Sequence, residues 1–564
     1  MKILIVVPRT LLSDDINYAY MFPLGLAYLS SVLKQAGHSV EGFNLNHYAG
    51  SVESLLRDKI DAENKYDFVC IGGISTIYQQ INMIVDAVHN IPFKQKLIMG
   101  GGIISSEPEM MFALFKPDYL VIGEGETTIC ELLETLLKGG DIKQVAGLGY
   151  CNTEGKLVFN RPREPILKID LLPYPDLEGF EFEKYLDNMH PSDYFFQDLF
   201  DFPRAYPLVC SRSCPYLCTF CFHPIGNRYR QRSVDSVMKE LAVMIPKYHI
   251  NLISIYDELF SNNIEWLREF CARMKEFLAK LPWECKWGCQ MRVDKINDEM
   301  LKMMKNSGCY MVSYGLESYS SIVLKSMKKH ITPEQIDRAI KLTLKNGLSV
   351  QGNFLFGDPA ETWQTAKETL DYWKKNLEAG IMLTFVNPYP GTEIYRQCLE
   401  RAIIKDKTNF IANQIFDVIN ITEKMSTRKF AGLWATVSEA RSKYRVYGVC
   451  KDLQSREDGT VELLIQCPHC RQMIEYKNYL IPSKYYYFLM MYCRSCRRRF
   501  FIASGLCKIA TRMLRLCYKV IPHISYGFFK TIWPRRYLLR YVAKKNLKRI
   551  NGIFFLNKLG CRKT

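Results

Sequence analysis

Three cysteines set the chemistry of this chain. Cys214, Cys218 and Cys221 lie in Cys210-Ser-Arg-Ser-Cys-Pro-Tyr-Leu-Cys-Thr-Phe-Cys-Phe-His223, spaced C-x-x-x-C-x-x-C, with the aromatic Phe220 just before the last. Thiolates are soft ligands that select iron–sulfur clusters, zinc or Cu(I). Three of them on one short loop can hold three irons of a 4Fe–4S cluster and leave the fourth open to a substrate or cofactor. A structural zinc site wants four closed ligands instead, and Cys210 or His223 could supply the fourth.

A second set follows much later. Cys467-Pro-His-Cys470 and Cys493-Arg-Ser-Cys496 form two C-x-x-C knuckles separated by 22 residues. Four thiolates from two knuckles give the closed tetrahedral site that zinc prefers. Rubredoxin-like iron or an auxiliary iron–sulfur site is the alternative. His469 is read as a spectator between ligands. Residues 451–504 are expected to form a zinc-ribbon-like module, structural or for docking.

The elements that carry these residues alternate strand and helix. In residues 1–140, apolar runs at Lys2–Val7, 39–43, 68–73, 96–102 and 119–123 alternate with helical periodicity such as 23–33. That pattern means a Rossmann-like parallel sheet with helices on both faces. Such sheets bind ligands beyond the carboxyl ends of their strands. Gly72, Gly73, Gly100, Gly101, Gly102 and Gly123 fall there, where glycine lets backbone approach a large ligand. Residues 141–205 read as a linker with strand-like and Pro-rich pieces. Residues 206–400 hold six strands, at 206–210, 252–258, 287–292, 311–318, 349–357 and 383–387, which fits an open partial (β/α)6 barrel with functional residues at the strand ends. Residues 401–450 look helical and polar. The fold class is therefore α/β, with a C-terminal cysteine module and a basic tail.

The segment Ser211-Arg-Ser-Cys-Pro-Tyr-Leu-Cys-Thr-Phe-Cys221 resembles the cluster loop of the radical S-adenosylmethionine superfamily, with Ser213 where that family usually has Gly. The resemblance implies a 4Fe–4S cluster on Cys214, Cys218 and Cys221, with Phe220 in the cofactor-binding set. Strand ends of 206–400 resemble the same superfamily. Tyr256-Asp257-Glu258 matches the segment facing the methionine moiety, Arg292 a polar position lining the site, and Glu317 a position near the ribose. Phe354-Leu-Phe-Gly357, followed by Glu361, matches the adenine-side strand. Each has a plainer reading: Glu317 could cap a helix, and Arg292 could pair with Asp257. Upstream, Pro23-Leu-Gly25, Gly72-Gly73-x-Ser75, Gly100-Gly101-Gly102 and Gly123-Glu124-Gly-Glu126 resemble the cobalamin-binding domain that precedes many such barrels. Glu124 and Glu126 are candidate polar contacts, with a helix N-terminus that favours acids as the alternative. The loop Arg9–Asp15 has no histidine where some cobalamin domains supply a lower ligand, so the resemblance implies cobalamin without a protein histidine. His47 is the first suspect should that expectation fail. The implied cofactors are a 4Fe–4S cluster, S-adenosylmethionine and cobalamin, and the implied reaction is methylation of an unactivated carbon. Rearrangement, cyclisation or ring contraction with the same cofactors is the alternative, and a cobalamin or redox sensor is a reading from another class. An electron donor such as flavodoxin or ferredoxin is implied as partner.

Charge singles out the tail. The chain of 564 residues has a net charge of +17, yet Glu475 is its last acid and 21 Lys and Arg follow it. The preceding residues are near balance, with 54 bases against 58 acids. Residues 505–564 mix bases with large apolar residues, as in Met513–Val520, Phe528–Trp533 and Tyr537–Val542. That composition suits a helix at an anionic membrane surface. Nucleic acid or a packed helical extension are the alternatives. Twenty cysteines argue for a reducing compartment, no run of 18 apolar residues exists, and the cytoplasm, with peripheral contact at the inner membrane face, is the expectation.

Overall fold

The computed structural model describes residues 1–61, 63–93, 95–194 and 197–532. Trp533 and Tyr537–Val542 of the expected tail lie outside the described residues, as does the side chain of Phe529.

The N-terminal sheet forms because its strands are apolar on both sides. β1 (Lys2–Val7), β2 (Ser39–Asn44), β3 (Phe68–Gly72), β4 (Lys96–Gly100) and β5 (Tyr119–Val121) pair in parallel, in the order β2-β1-β3-β4-β5. β1 sends Ile3, Ile5 and Val7 into one core and Leu4 and Val6 into another, as the two-residue side-chain period of a strand requires. The sheet continues past residue 140: β6 (Leu148–Cys151) and β7 (Leu157–Phe159) add an antiparallel hairpin in the stretch expected to link two domains.

The second unit is the partial barrel. Its strands are β8 (Ala205–Leu208), then a short ribbon of β9 (Ser211–Arg212) and β10 (Arg230–Gln231), then β11 (Leu252–Ile255), β12 (Lys286–Met291), β13 (Cys309–Glu317), β14 (Ser349–Phe356) and β15 (Met382–Phe385). β8 and β11–β15 form a six-stranded parallel sheet in the order β15-β14-β13-β12-β11-β8. The cysteine loop follows the first of these strands. Its carboxyl ends turn toward those of the N-terminal sheet, and the two units share one continuous core.

The C-terminal module has β16 (Val449–Ser455), β17 (Val461–Gln466) and β18 (Met473–Tyr479) in one antiparallel sheet and β19 (Phe488–Tyr492) with β20 (Arg499–Ala503) in another. It packs on the opposite, amino-terminal end of the barrel. Arg499 reaches Asp198 at 2.5 Å, Arg494 reaches Asp201 at 2.6 Å and Arg498 reaches Glu378 at 3.2 Å. Arg497 donates to the Gly347 carbonyl at 2.6 Å. Beyond the module, helices Gly505–Val520 and Pro522–Ile532 lie against helix Thr427–Lys443, where Tyr518 and Tyr526 meet Trp434. No helix among the described residues is long and apolar enough to cross a membrane.

Candidate functional site

A cavity of about 640 Å³ lies between the two sets of strand ends. On one side it is lined by Gly25, Gly72, Gly73, Gly100, Gly101, Gly102 and Gly123, and on the other by Ser211, Arg212, Ser213, Tyr256 and Glu258. Gly101 has φ +81, and a Cβ there would come within 2.8 Å of the Gly73 carbonyl, so side chains are excluded from this edge. A Cβ at Gly25 would enter open space. The apolar, side-chain-free edge fits a broad, flat macrocycle such as cobalamin. Ser75 is buried behind this lining, at the start of a short helical turn.

His47 is buried, its Nε2 lies 2.7 Å from the Tyr20 hydroxyl and its Nδ1 lies 3.1 Å from Glu181. Both ring nitrogens are engaged and the residue does not line the cavity. The Arg9–Asp15 loop is held by Arg9, which donates to the carbonyls of Leu45, Ser13, Tyr48 and Gly50.

Glu124 and Glu126 line the cavity, but their carboxylates are engaged across the domain boundary. Glu124 accepts from Arg212 at 3.0 Å and Arg230 at 2.7 Å, and Glu126 accepts from Arg212 at 2.5 Å. Arg230 also donates to the Ser213 hydroxyl at 2.9 Å. Ser213 has φ +64, the left-handed conformation that favours glycine. The buried arginine therefore ties this strained turn, immediately before Cys214, to the helix Gly125–Leu137 of the neighbouring sheet.

The three cysteines of the loop differ in exposure: Cys218 is buried, Cys214 half-buried and Cys221 exposed. The Cys221 thiol donates to the Cys218 sulfur, which lowers Cys218 to about 6 and raises Cys221. A thiolate is thus favoured at Cys218, as ligation requires. Cys210 is different. It is fully buried, burial drives its thiol well up, and its N–H donates to Asp257 at 2.8 Å. Among the described residues the ligand atoms at this loop form no compact group of three or more, so its thiols are not gathered around a single-ion position. His223 faces Glu258 at 3.4 Å. These features fit a cluster with three protein ligands.

The predicted strand-end residues divide into two groups. Arg292 does not pair with Asp257. Its guanidinium lies 3.5 Å from the Tyr216 ring, bonds Asp294 at 2.9 Å and donates to the Lys329 carbonyl at 3.0 Å. Glu317, with φ +59, accepts from Lys329 at 2.8 Å, and the Lys329 ammonium lies 5.8 Å from the Phe220 ring. Burial alone would lower that ammonium, and the Glu317 carboxylate outweighs it and raises it. These residues gather around the loop. Asp257, by contrast, points away from the cavity that its neighbours Tyr256 and Glu258 line, and burial pushes its carboxyl up to about 8. Phe354 is fully buried and meets Tyr372 edge-on. Gly357 has φ +91 and donates its N–H to Glu361 at 3.2 Å, and burial pushes that carboxyl up to about 7.

Several residues in the site were not singled out by the sequence reading. Arg212, Arg230 and Lys329 carried no local signal, since their partners lie far away in the chain. Asn353 did carry one: Gln351, Asn353 and Leu355 alternate with fully buried residues along β14. The side-chain oxygens of Asn353 and of Asn387, at the exit of β15, are buried without a donor.

The second cysteine set is compact. The ligand atoms of Cys467, Cys470, Cys493 and Cys496 all lie within 4.8 Å of one another, with Sγ–Sγ distances of 3.8 Å for Cys467–Cys496 and 3.6 Å for Cys470–Cys493. A tetrahedron built on Zn–S bonds of about 2.3 Å has edges of about 3.8 Å. The backbones match too. Arg471 and Arg497, just past each knuckle, have φ +65 and +62, and the N–H groups of His469 and Cys496 point at the Cys467 and Cys493 sulfurs, both at 3.4 Å. His469 itself turns to the Arg499 carbonyl at 3.1 Å.

Two family models match the chain. The B12 binding domain matches residues 18–133 and the Radical SAM superfamily matches residues 208–372. The chain is 30% identical over 388 residues to an uncharacterized methyltransferase of Pyrococcus horikoshii, covering 68% of this chain and 79% of that one. It is 25% identical over 510 residues to the cytidylyl-2-hydroxyethylphosphonate methyltransferase of Streptomyces wedmorensis, covering 81% and 90%. Its fold is similar to that of the radical S-adenosylmethionine methyltransferase TsrM from Kitasatospora setae, solved with tryptophan substrate and a SAM analogue. The TM-score is 0.59 at 19% identity, over 72% of this chain and 77% of that one.

Proposed function

The chain belongs to the cobalamin-binding radical S-adenosylmethionine family, and from that premise we propose that it methylates an unactivated carbon of its substrate. It is an enzyme whose cofactors are a 4Fe–4S cluster, S-adenosylmethionine and cobalamin. When bound, the cluster supplies the electron that cleaves S-adenosylmethionine to a 5′-deoxyadenosyl radical, and cobalamin supplies a methyl carrier.

The observation that carries the proposal is a cavity bounded by the glycine edge on one side and, on the other, by Ser211, Arg212 and Ser213, which lead into the cysteine loop. Residues 1–140 form the cobalamin-binding domain, 141–205 the connection, whose hairpin belongs to the first sheet, and 206–400 the barrel. Cys214, Cys218 and Cys221 hold the cluster. Arg292 stacks on Tyr216 and fixes the loop, while Phe220, Glu258, Glu317 and Lys329 face the site beside it. Asp257 acts behind the cavity wall by holding the Cys210 N–H. Phe354 and Gly357 shape the adjoining strand from its buried side. Glu124 orients Arg212 and Arg230. The glycine edge, with Gly25 and the buried Ser75 turn, receives cobalamin without a histidine ligand. Residues 401–450 join the barrel to a module, 451–504, in which Cys467, Cys470, Cys493 and Cys496 hold zinc.

The enzyme works with a substrate and a reductant, and we assign the reductant to a flavodoxin- or ferredoxin-type protein of the cytoplasm. The basic tail, 505–564, turns the enzyme toward an anionic membrane surface at the inner face. Reaction of the anaerobically reconstituted enzyme with methyl-labelled S-adenosylmethionine and candidate substrates tests the reaction class. Label in product together with 5′-deoxyadenosine is expected. 5′-Deoxyadenosine with a rearranged, unlabelled product would replace methyl transfer by rearrangement.

A further inference from the structure

Helix Gly505–Val520 is apolar on two faces. One is covered: Cys507 is buried, Tyr518 lies edge-on to Trp434 at 5.5 Å, and Arg515 and Lys519 approach Glu439 at 3.7 and 3.9 Å. The other is open. Leu506, Ile509, Met513, Leu516 and Val520 recur at steps of three and four residues, which places them on one stripe of the helix. They are between 57% and 72% exposed. Ile524 and Phe528, also exposed, continue the apolar surface on the next helix. Single exposed apolar residues are ordinary, but a continuous row of this kind marks a contact surface.

The charges around the stripe decide its occupant. Arg512 and Lys519 are exposed and Lys508 and Arg515 half-buried, and their spacing of four, three and four places all four along one edge of the stripe. No acid occurs from residue 476 onward, and residues 533–564 add ten more Lys and Arg. An apolar stripe flanked only by bases matches the boundary between the phosphates and acyl chains of an anionic bilayer. A second copy of the helix would set its four bases against four more, and the helix itself carries no acid. Single-stranded nucleic acid is bound by stacking on aromatic rings, and this stripe is aliphatic apart from Phe528.

We infer that the face bearing Leu506, Ile509, Met513, Leu516, Val520, Ile524 and Phe528 is the membrane-contact surface of the enzyme, lying in the plane of an anionic phospholipid bilayer. The inference rests on the membrane reading of the basic tail and adds the face that makes contact. The helix lies on the bilayer and does not cross it, since it has 16 residues and four bases.

The experiment is flotation of the full-length holoenzyme with vesicles of phosphatidylcholine alone and of phosphatidylcholine with phosphatidylglycerol. The variant is the quadruple Leu506→Ser, Ile509→Ser, Met513→Ser, Leu516→Ser, at positions more than half exposed. A milder pair, Ile509→Gln with Leu516→Gln, guards against misfolding. The wild type is expected to float with anionic vesicles only. The quadruple variant should lose binding by about tenfold or more, and the pair by less, both with unchanged melting temperature and metal content. Equal flotation of wild type and both variants would overturn the assignment of this face while leaving the membrane reading on the bases alone. Absence of wild-type binding to any vesicle would overturn that reading itself. A wild-type dimer that the quadruple variant dissolves, or an RNA complex that it abolishes, would give the face to those partners instead.

Discussion

The two cysteine sites of this molecule use the same atom to opposite ends. At the mouth of the barrel, three thiols of unequal exposure sit on one loop, and the groups around them are held by long-range partners: Arg292 on Tyr216, Lys329 on Glu317, Arg230 on Ser213. At the other end of the barrel, four thiols converge within 4.8 Å, their turns bonded to their own sulfurs. The first arrangement holds three thiols on a loop whose entry, Ser211, Arg212 and Ser213, lines a cavity. The second sets four sulfurs at the spacing of a single-ion tetrahedron, and Arg494, Arg497, Arg498 and Arg499 of the second knuckle and the residues just after it fasten the module to the barrel. Ligand count and enclosure, rather than ligand type, separate a reactive site from a clasp.

The comparison breaks most visibly at the loop. Ala at Cys214, Cys218 or Cys221 should abolish the cluster's absorbance and 5′-deoxyadenosine formation, while the melting transition of the C-terminal module stays in place. Loss at the other site should look different. Cys493→Ala should release zinc and lower stability by several kcal/mol, because metal binding is folding free energy for a closed site, and 5′-deoxyadenosine formed per remaining cluster should be retained. Thermal melts with metal analysis check the first part and single-turnover assays the second.

A third change tests the bridge between loop and neighbouring sheet. Arg230→Ala removes one arginine from a buried pair and leaves Glu124 with Arg212 alone. It should cost about 3 kcal/mol and shift the electron paramagnetic resonance signal of the reduced cluster, since Ser213 loses its donor. A stability loss with an unshifted signal would make Arg230 structural only.

The smallest effect concerns Asp257. Its folded-state carboxyl is raised to about 8 by burial, whereas an unfolded aspartate titrates near about 3.9. The folded protein therefore binds the extra proton between these values. The stability linked to this group is complete below about pH 4 and is lost as pH rises through about 8. Asp257→Asn, which keeps the neutral form, should match the wild type within about 1 kcal/mol near pH 4 and be the more stable of the two above it, flattening that loss. Melting temperatures of both proteins from about pH 4 to 9 check it.

Much of this was legible in the chain because parallel strands buried on both faces read as continuous apolar runs, and because ligand spacing is local. β1, β3 and the cysteine loop needed no tertiary information. The hairpin β6–β7 was harder, since Leu157–Phe159 is short and partly exposed and lacks a continuous buried run. Glu124 illustrates the other limit. Its motif suggested a cofactor contact, but its partners Arg212 and Arg230 lie 88 and 106 residues away and are brought near only by the packing of two sheets. Asp257 lies beyond the end of β11 at Ile255, so strand alternation could not say which way it faces. Net charge misleads as well. The basic excess after Glu475 includes arginines engaged on Asp198, Asp201 and Glu378, so the surface charge begins later than the sequence suggests.

The two thiolate sets are expected to hold different groups independently of each other. Iron, sulfide and zinc measured together in the full chain and in Cys218→Ala test it most directly. The expected result is one 4Fe–4S cluster and one zinc per wild-type chain, and zinc without the cluster in the variant. Cluster retained in Cys218→Ala, or zinc lost along with it, would contradict the account.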